Sequence, residues 1–248
     1  MPGPEPDQIV TAPPGRRPVR WGLGDAAVGW LVAVVCSQLT ALVAYSASDT
    51  PLDAPDELPL GWVAFAQLGL WVGLLGAPWM AARLKGNGMR LDFGLRGERQ
   101  DLWVGGLAGV AGQFAILWLV YLPMSWFTDV TTEEISEPAR DMTDRASGIV
   151  GVVLLVLIVG VGAPIVEEIF YRGLLQRSLV RRVGVGWGIG ISSVVFGVVH
   201  FQVLQFPALA LAGVLFGVLA HRAGRLGPAI IAHMVFNLTA VGALLAAS

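Results

Sequence analysis

Directly behind the apolar run GVVLLVLIVGVGAPIV stand two adjacent glutamates, Glu167 and Glu168. A run of that kind belongs in lipid, where an ionisable side chain at mid-depth costs roughly 2.5–3.5 kcal/mol on insertion scales. Two histidines, His200 and His233, stand near the ends of other apolar stretches. A chain that carries several such groups at membrane depth uses them.

The rest of the 248 residues fits that solvent. Hydrophobic residues make up 55% and charged residues 14%, with mean hydropathy +0.68. These values describe a polytopic membrane protein of the all-α class, a transmembrane helical bundle. The net charge of −2 argues against a nucleic-acid partner. Cys36 is the single cysteine, so no intrachain disulfide forms, and it reads as a small packing residue. Residues 1–20, MPGPEPDQIVTAPPGRRPVR, are polar and Pro-rich. They predict a disordered cytoplasmic tail over 1–21 rather than a signal peptide, because no short apolar core follows a charged start.

A spanning helix needs about 20 apolar residues. Candidates fall at 26–46, 60–82, 102–124, 147–170, 186–206, 207–221 and 226–246. That is about seven spans, with an eighth as the alternative. Pro207 is the expected break between the fifth and the short sixth. The organisation expected is a tail (1–21), N-terminal transmembrane helices (22–146) and a C-terminal transmembrane core (147–248).

The connecting segments alternate in charge. Arg16, Arg17 and Arg20 precede the first span, and SDTPLDAPDELP, with no Lys or Arg, follows it. RLKGNGMRLDFGLRGERQ is strongly basic, whereas TDVTTEEISEPARDMTDR is mainly acidic. Basic residues return at Arg172, Arg177, Arg181 and Arg182, and at Arg222 and Arg225. The positive-inside rule then places the N-terminus in the cytoplasm and, with seven spans, the C-terminus outside. Gly105 with Gly109, Ala108 with Gly112, and Gly213 with Gly217 recur at spacing four, which permits close helix contact in lipid. The run Gly184, Gly186, Gly188, Gly190 lacks the context and spacing of a phosphate-binding loop.

Three local patterns carry candidate chemistry. In Glu167-Glu168-Ile169-Phe170-Tyr171-Arg172, Glu168 and Arg172 are i,i+4 neighbours and can pair. Glu167 points about 100° away on the helix. One carboxylate can thus be neutralised while the other faces elsewhere; alternatively both reach toward a basic rim. Phe196-Gly197-Val198-Val199-His200 supplies a histidine, and His233 and Asn237 share one helix face. Glu, His, His and Asn are what water activation needs in a dry site: a proton acceptor, a partner to orient it and donors for an oxyanion. The same residues could hold zinc. Spacing alone does not separate the two. The signatures H-E-x-x-H and G-x-S-x-G are absent, and His221 reads as an interfacial residue. Counted along ideal helices from the basic side, Glu167 and His200 lie at similar depth, about 22 Å, and His233 at about 12 Å.

EEIFYRG, FGVVH and HMVFN, in that order, resemble the three motifs of the CAAX protease and bacteriocin-processing family of intramembrane proteases. The resemblance is specific over about 147–246. It implies an intramembrane endopeptidase of the type II CAAX prenyl kind, glutamate-type or metalloprotease. In that family the first glutamate and the middle histidine activate water, which here means Glu167 and His200. The oxyanion donors would be His233 and Asn237, with Glu168 and Arg172 in support. No cofactor is the preferred expectation; zinc on Glu167, His200 and His233 is the alternative. The partners implied are the lipid bilayer and a membrane-embedded or membrane-associated peptide or protein, CAAX-like or otherwise, at a bacterial plasma membrane. Two other readings compete. One is a non-catalytic immunity or scaffold protein in which the polar groups lock helices together. The other, a transporter, expects two repeated halves, and the sequence has no such repeat.

Overall fold

A computed structural model describes residues 17–247 of the chain. Among them there are helices and no strand, as expected for the all-α class. Six helices are long and apolar enough to cross a membrane: α1 (Leu23–Ser48), α2 (Leu60–Lys85), α4 (Arg99–Phe127), α6 (Gly148–Val183), α8 (Phe206–Ala223) and α9 (Gly227–Ala247). Between them lie a single turn, α3 (Met89–Asp92), a polar helix, α5 (Thr132–Asp144), and a shorter apolar helix, α7 (Val185–Val198). About seven apolar helices therefore make the bundle.

The burial pattern is that of a protein in lipid. On α1 the large side chains Val28, Leu31, Val35, Leu39 and Leu42 are exposed at helical spacing, while Ala26, Gly29 and Ala33 face inward. A Cβ on Gly73 of α2 would run into the backbone of Gly29 and Ala33, so the α1–α2 contact is backbone to backbone. The small residues of α4 act the same way. A Cβ at Gly105 would lie 2.7 Å from the Pro228 carbonyl oxygen, and one at Gly109 2.5 Å from that of Ala232, both on α9. Lipid tails offer no hydrophobic drive for helices to associate, so close packing of this kind holds the bundle together.

Three boundaries depart from the sequence expectation. The fourth span was expected to end near residue 170, but α6 runs on to Val183. Hydropathy falls there because Glu168, Arg172 and Gln176 follow one another at helical spacing, yet all three are buried and partnered across the bundle. The helix has no reason to stop. The fifth span was expected over 186–206; α7 ends at Val198, and the chain turns through 199–205, with Phe201 at φ 55°. Pro207 is not a break between abutting helices. It lies in the first turn of α8, where its missing N–H costs nothing. Finally, the last residues of the expected tail are fixed. Arg17 and Arg20 hydrogen-bond Asn87 and the Lys85 carbonyl, and Trp21 is buried against Phe93, with Arg181 3.8 Å above its ring. The remainder of that tail, residues 1–16, lies outside the described residues.

α5 begins with a capping box: the Glu134 backbone N–H donates to the Thr131 hydroxyl, and the Glu134 carboxylate accepts from the Thr131 N–H. That backbone hydrogen bond, with one from the Thr131 hydroxyl, holds the Glu134 carboxyl below its usual range. The charge alternation along the chain predicts that reporters fused after residues 52 and 92 report opposite sides of the membrane, with residue 92 cytoplasmic. A phosphatase and fluorescent-protein fusion pair tests this, and the same side for both would refute the map.

Candidate active site

The site is assembled where α6, α9 and the α7–α8 turn meet. α6 is not uniform there. Residues 156–162 and 168–176 are wound as π-helix, with Pro164 between them, and the two glutamates lie at the second junction. A π-turn re-aims the side chains that follow it and frees backbone carbonyls, which is why such turns gather at functional positions.

Glu168 is fully buried at the centre. One of its oxygens lies 3.1 Å from Arg172 Nη1 and 2.9 Å from His233 Nδ1. Arg172 is 1% exposed. It donates through Nη2 to the Gly213 carbonyl, with its guanidinium 4.4 Å over the Phe196 ring and 5.5 Å from Phe216. A buried ion pair depends on further contacts, and here a carbonyl, an imidazole and two rings supply some of them, while Glu168 Oε2 and Arg172 Nε have no hydrogen-bond partner among the described residues. The i,i+4 pairing read from the sequence is present. The alternative, in which both glutamates reach a basic rim, is not what the fold shows.

Glu167, one residue earlier, faces a cavity of about 280 Å³. His200, His233 and Asn237 line the same cavity, so all four candidate residues meet in one place. The depth discrepancy counted for His233 is absent from the fold: its ring lies 2.9 Å from Glu168 and lines the same cavity as Glu167. The histidine that approaches Glu167 is His233, with Nε2 3.9 Å from the carboxylate, rather than His200.

Partners fix the orientation of each polar group. His200 Nδ1 is 2.6 Å from the Phe196 carbonyl, which can only accept, so Nδ1 carries a proton and the neutral ring has its lone pair on Nε2. His233 Nδ1 likewise donates to the Glu168 carboxylate, turning Nε2 toward Glu167. Asn237 Nδ2 donates to the Val159 carbonyl in the first π segment, 2.9 Å away, and keeps a second N–H. His221 lies exposed at the end of α8, away from this cluster.

Phe196 and Phe216 were not singled out as site residues in the sequence. Phe216 stacks on His233 with centroids 4.6 Å apart, and Phe196 meets both His200 and His233 edge-on. Phe196 opens the FGVVH pattern, but Phe216 had only its place between Gly213 and Gly217 to mark it.

Residues 149–239 match the family described as "Type II CAAX prenyl endopeptidase Rce1-like". A Bacillus subtilis (strain 168) protein named "Putative membrane peptidase YdiL" is 30% identical over 84 residues, 34% of this chain and 34% of that protein. The matched stretch thus spans about a third of that relative's length. No solved structure matches. The resemblance drawn from the three motifs holds over the segment that contains them: residues 149–239 align the C-terminal part of this integral, multi-pass membrane protein with the Rce1-like family.

Proposed function

We propose that this chain is an intramembrane endopeptidase in which Glu167 activates water for attack on a peptide bond. The observation that carries this reading is the meeting of Glu167, His200, His233 and Asn237 around one cavity inside a bundle of apolar helices. Glu167 accepts a proton from water as the water oxygen bonds to the scissile carbonyl carbon. His200 Nε2, a hydrogen-bond acceptor in the tautomer set by Phe196, orients that water. The oxyanion that forms takes donors from Asn237 and His233. His233 Nε2 donates only when the ring holds both protons, since Nδ1 is already committed to Glu168. The C–N bond then breaks, and the proton held by Glu167 passes to the departing amine.

The non-catalytic alternative explains why Glu168 and Arg172 lock α6 to α8 and α9. It gives no reason for Glu167 to border a cavity with His233 Nε2 a loose 3.9 Å away. Purified protein incubated with membrane-anchored peptides decides between the two readings, with cleavage expected.

Among the described residues no group of three His, Cys, Asp or Glu side chains is arranged to hold a metal ion. Glu168 is committed to His233 and Arg172, whereas Glu167 and the Nε2 atoms of His200 and His233, the ligands of the zinc alternative, border the cavity with their Nδ1 partners already set. We carry metal-free activation as the working mechanism, so a chelator is expected to leave cleavage intact. Stoichiometric zinc lost together with activity, and restoring it on return, would overturn that mechanism.

A further inference from the structure

The cavity that holds Glu167 is plugged toward the basic segments and covered toward the acidic segments by a polar helix. Toward the basic segments, the space below the site is filled by Phe93, Leu174 and Leu226, each 0% exposed. The connections around this plug are tied down. The Leu226 N–H donates to the Gly94 carbonyl, Arg177 bonds the carbonyls of Asp92 and Gly224, and Arg225 pairs with Asp101. Nothing of a substrate's size passes through that layer.

The opposite side is built differently. The α7 helix has 14 residues, about 21 Å at 1.5 Å per residue. That falls short of a hydrocarbon core of about 30 Å. The α7–α8 hairpin therefore turns back inside the membrane, and its turn carries His200. The recess above the turn is covered by α5, whose Ala139 and Met142 line the cavity. Val63 and Gln67, in the first turns of α2, and Ala240 and Val241, toward the end of α9, complete the upper wall. Gln205 in the turn donates to the Ile135 carbonyl of α5 at 2.7 Å, and Arg145, just past α5, reaches the Leu58 carbonyl before α2. A helix with exposed Glu133, Glu137 and Asp141 on its outer surface belongs in the aqueous interface, not in lipid.

We infer that substrate and water reach Glu167 from the face that carries α5 and the 49–59 connection, the side opposite the basic segments. Under the positive-inside rule this face is extracytoplasmic. The substrate class follows: a membrane-anchored polypeptide whose scissile segment emerges on the outer side, rather than a cytoplasmic C-terminal tail. This identification of the substrate rests on the peptidase reading above, whereas the direction of access does not.

Cysteine labelling decides the direction without any cleavage. Cys36 is the single cysteine, so Cys36→Ser gives a blank chain. On that background Ala240→Cys and Met142→Cys report the cavity wall, Glu133→Cys the acidic face and Arg90→Cys the basic face. A membrane-impermeant maleimide is applied to right-side-out and to inverted vesicles. The cavity positions are expected to label from the same side as Glu133→Cys and at least about tenfold faster than from the side that labels Arg90→Cys. Labelling from the Arg90 side, or from neither side, overturns the inference. A second arm uses one single-span reporter peptide inserted in the two orientations. Cleavage is expected only with the susceptible segment on the Glu133 side, and cleavage on the Arg90 side overturns the substrate class. Should neither orientation be cut while labelling runs as expected, the peptidase reading fails and the direction of access stands.

Discussion

Glu167→Gln is expected to abolish peptide cleavage, lowering the rate by about 10²–10⁴, the loss typical of removing a general base. Glutamine keeps the volume and the hydrogen-bonding reach of the side chain but cannot take a proton from water. Folding should survive the change. The ion-pair distance from Glu167 to His233 is a loose 3.9 Å, and the carboxylate borders open cavity rather than packed side chains. Expression and the melting temperature in detergent should therefore stay near wild type while turnover disappears. Near-normal cleavage by the variant would remove Glu167 from the chemistry and leave the helix-locking reading in its place.

That separation of roles was partly visible in the sequence. The i,i+4 step from Glu168 to Arg172 predicted one neutralised carboxylate, and the offset of about 100° predicted that Glu167 would face another way. Both features are local, which is why a sequence can show them. The partners across the bundle were not visible. His233 is 65 residues from Glu168, and the Gly213 carbonyl is 41 residues from Arg172, and nothing in either segment marks the other. The length of the apolar runs located the spanning helices well, because lipid imposes one demand on all of them. It failed at 199–206, where apolar residues such as Phe201 and Val203 continue past the helix end and only the backbone turns. It failed again after residue 170, where buried polar groups lower the hydropathy without ending α6. Both failures fall at the candidate site, where polar groups stand in an apolar setting and local pattern and global structure part company.

Arg172→Ala should act in the opposite manner to Glu167→Gln, removing folded protein rather than chemistry. The guanidinium neutralises Glu168 at 3.1 Å, bonds the Gly213 carbonyl and fills the space between Phe196 and Phe216. Its loss leaves a fully buried carboxylate with only His233 beside it, and breaking a buried pair from one side costs about 3–5 kcal/mol. A void between the two rings adds to that cost. Against a total stability of about 5–15 kcal/mol, the variant should show a sharply lowered melting temperature and poor recovery from the membrane. The double variant Glu168→Gln/Arg172→Met separates charge from packing, since it removes both ions and keeps most of the volume. It should recover much of the lost stability, because replacing a buried pair by groups of similar shape is often neutral. It should still cleave poorly, because the amide oxygen of glutamine accepts from His233 Nδ1 more weakly than a carboxylate and aims Nε2 at the cavity less firmly. If Arg172→Ala melts like wild type, the pair is not structural. If the double variant is as unstable as Arg172→Ala, the cost arises from lost packing and hydrogen bonds rather than from an unpaired charge.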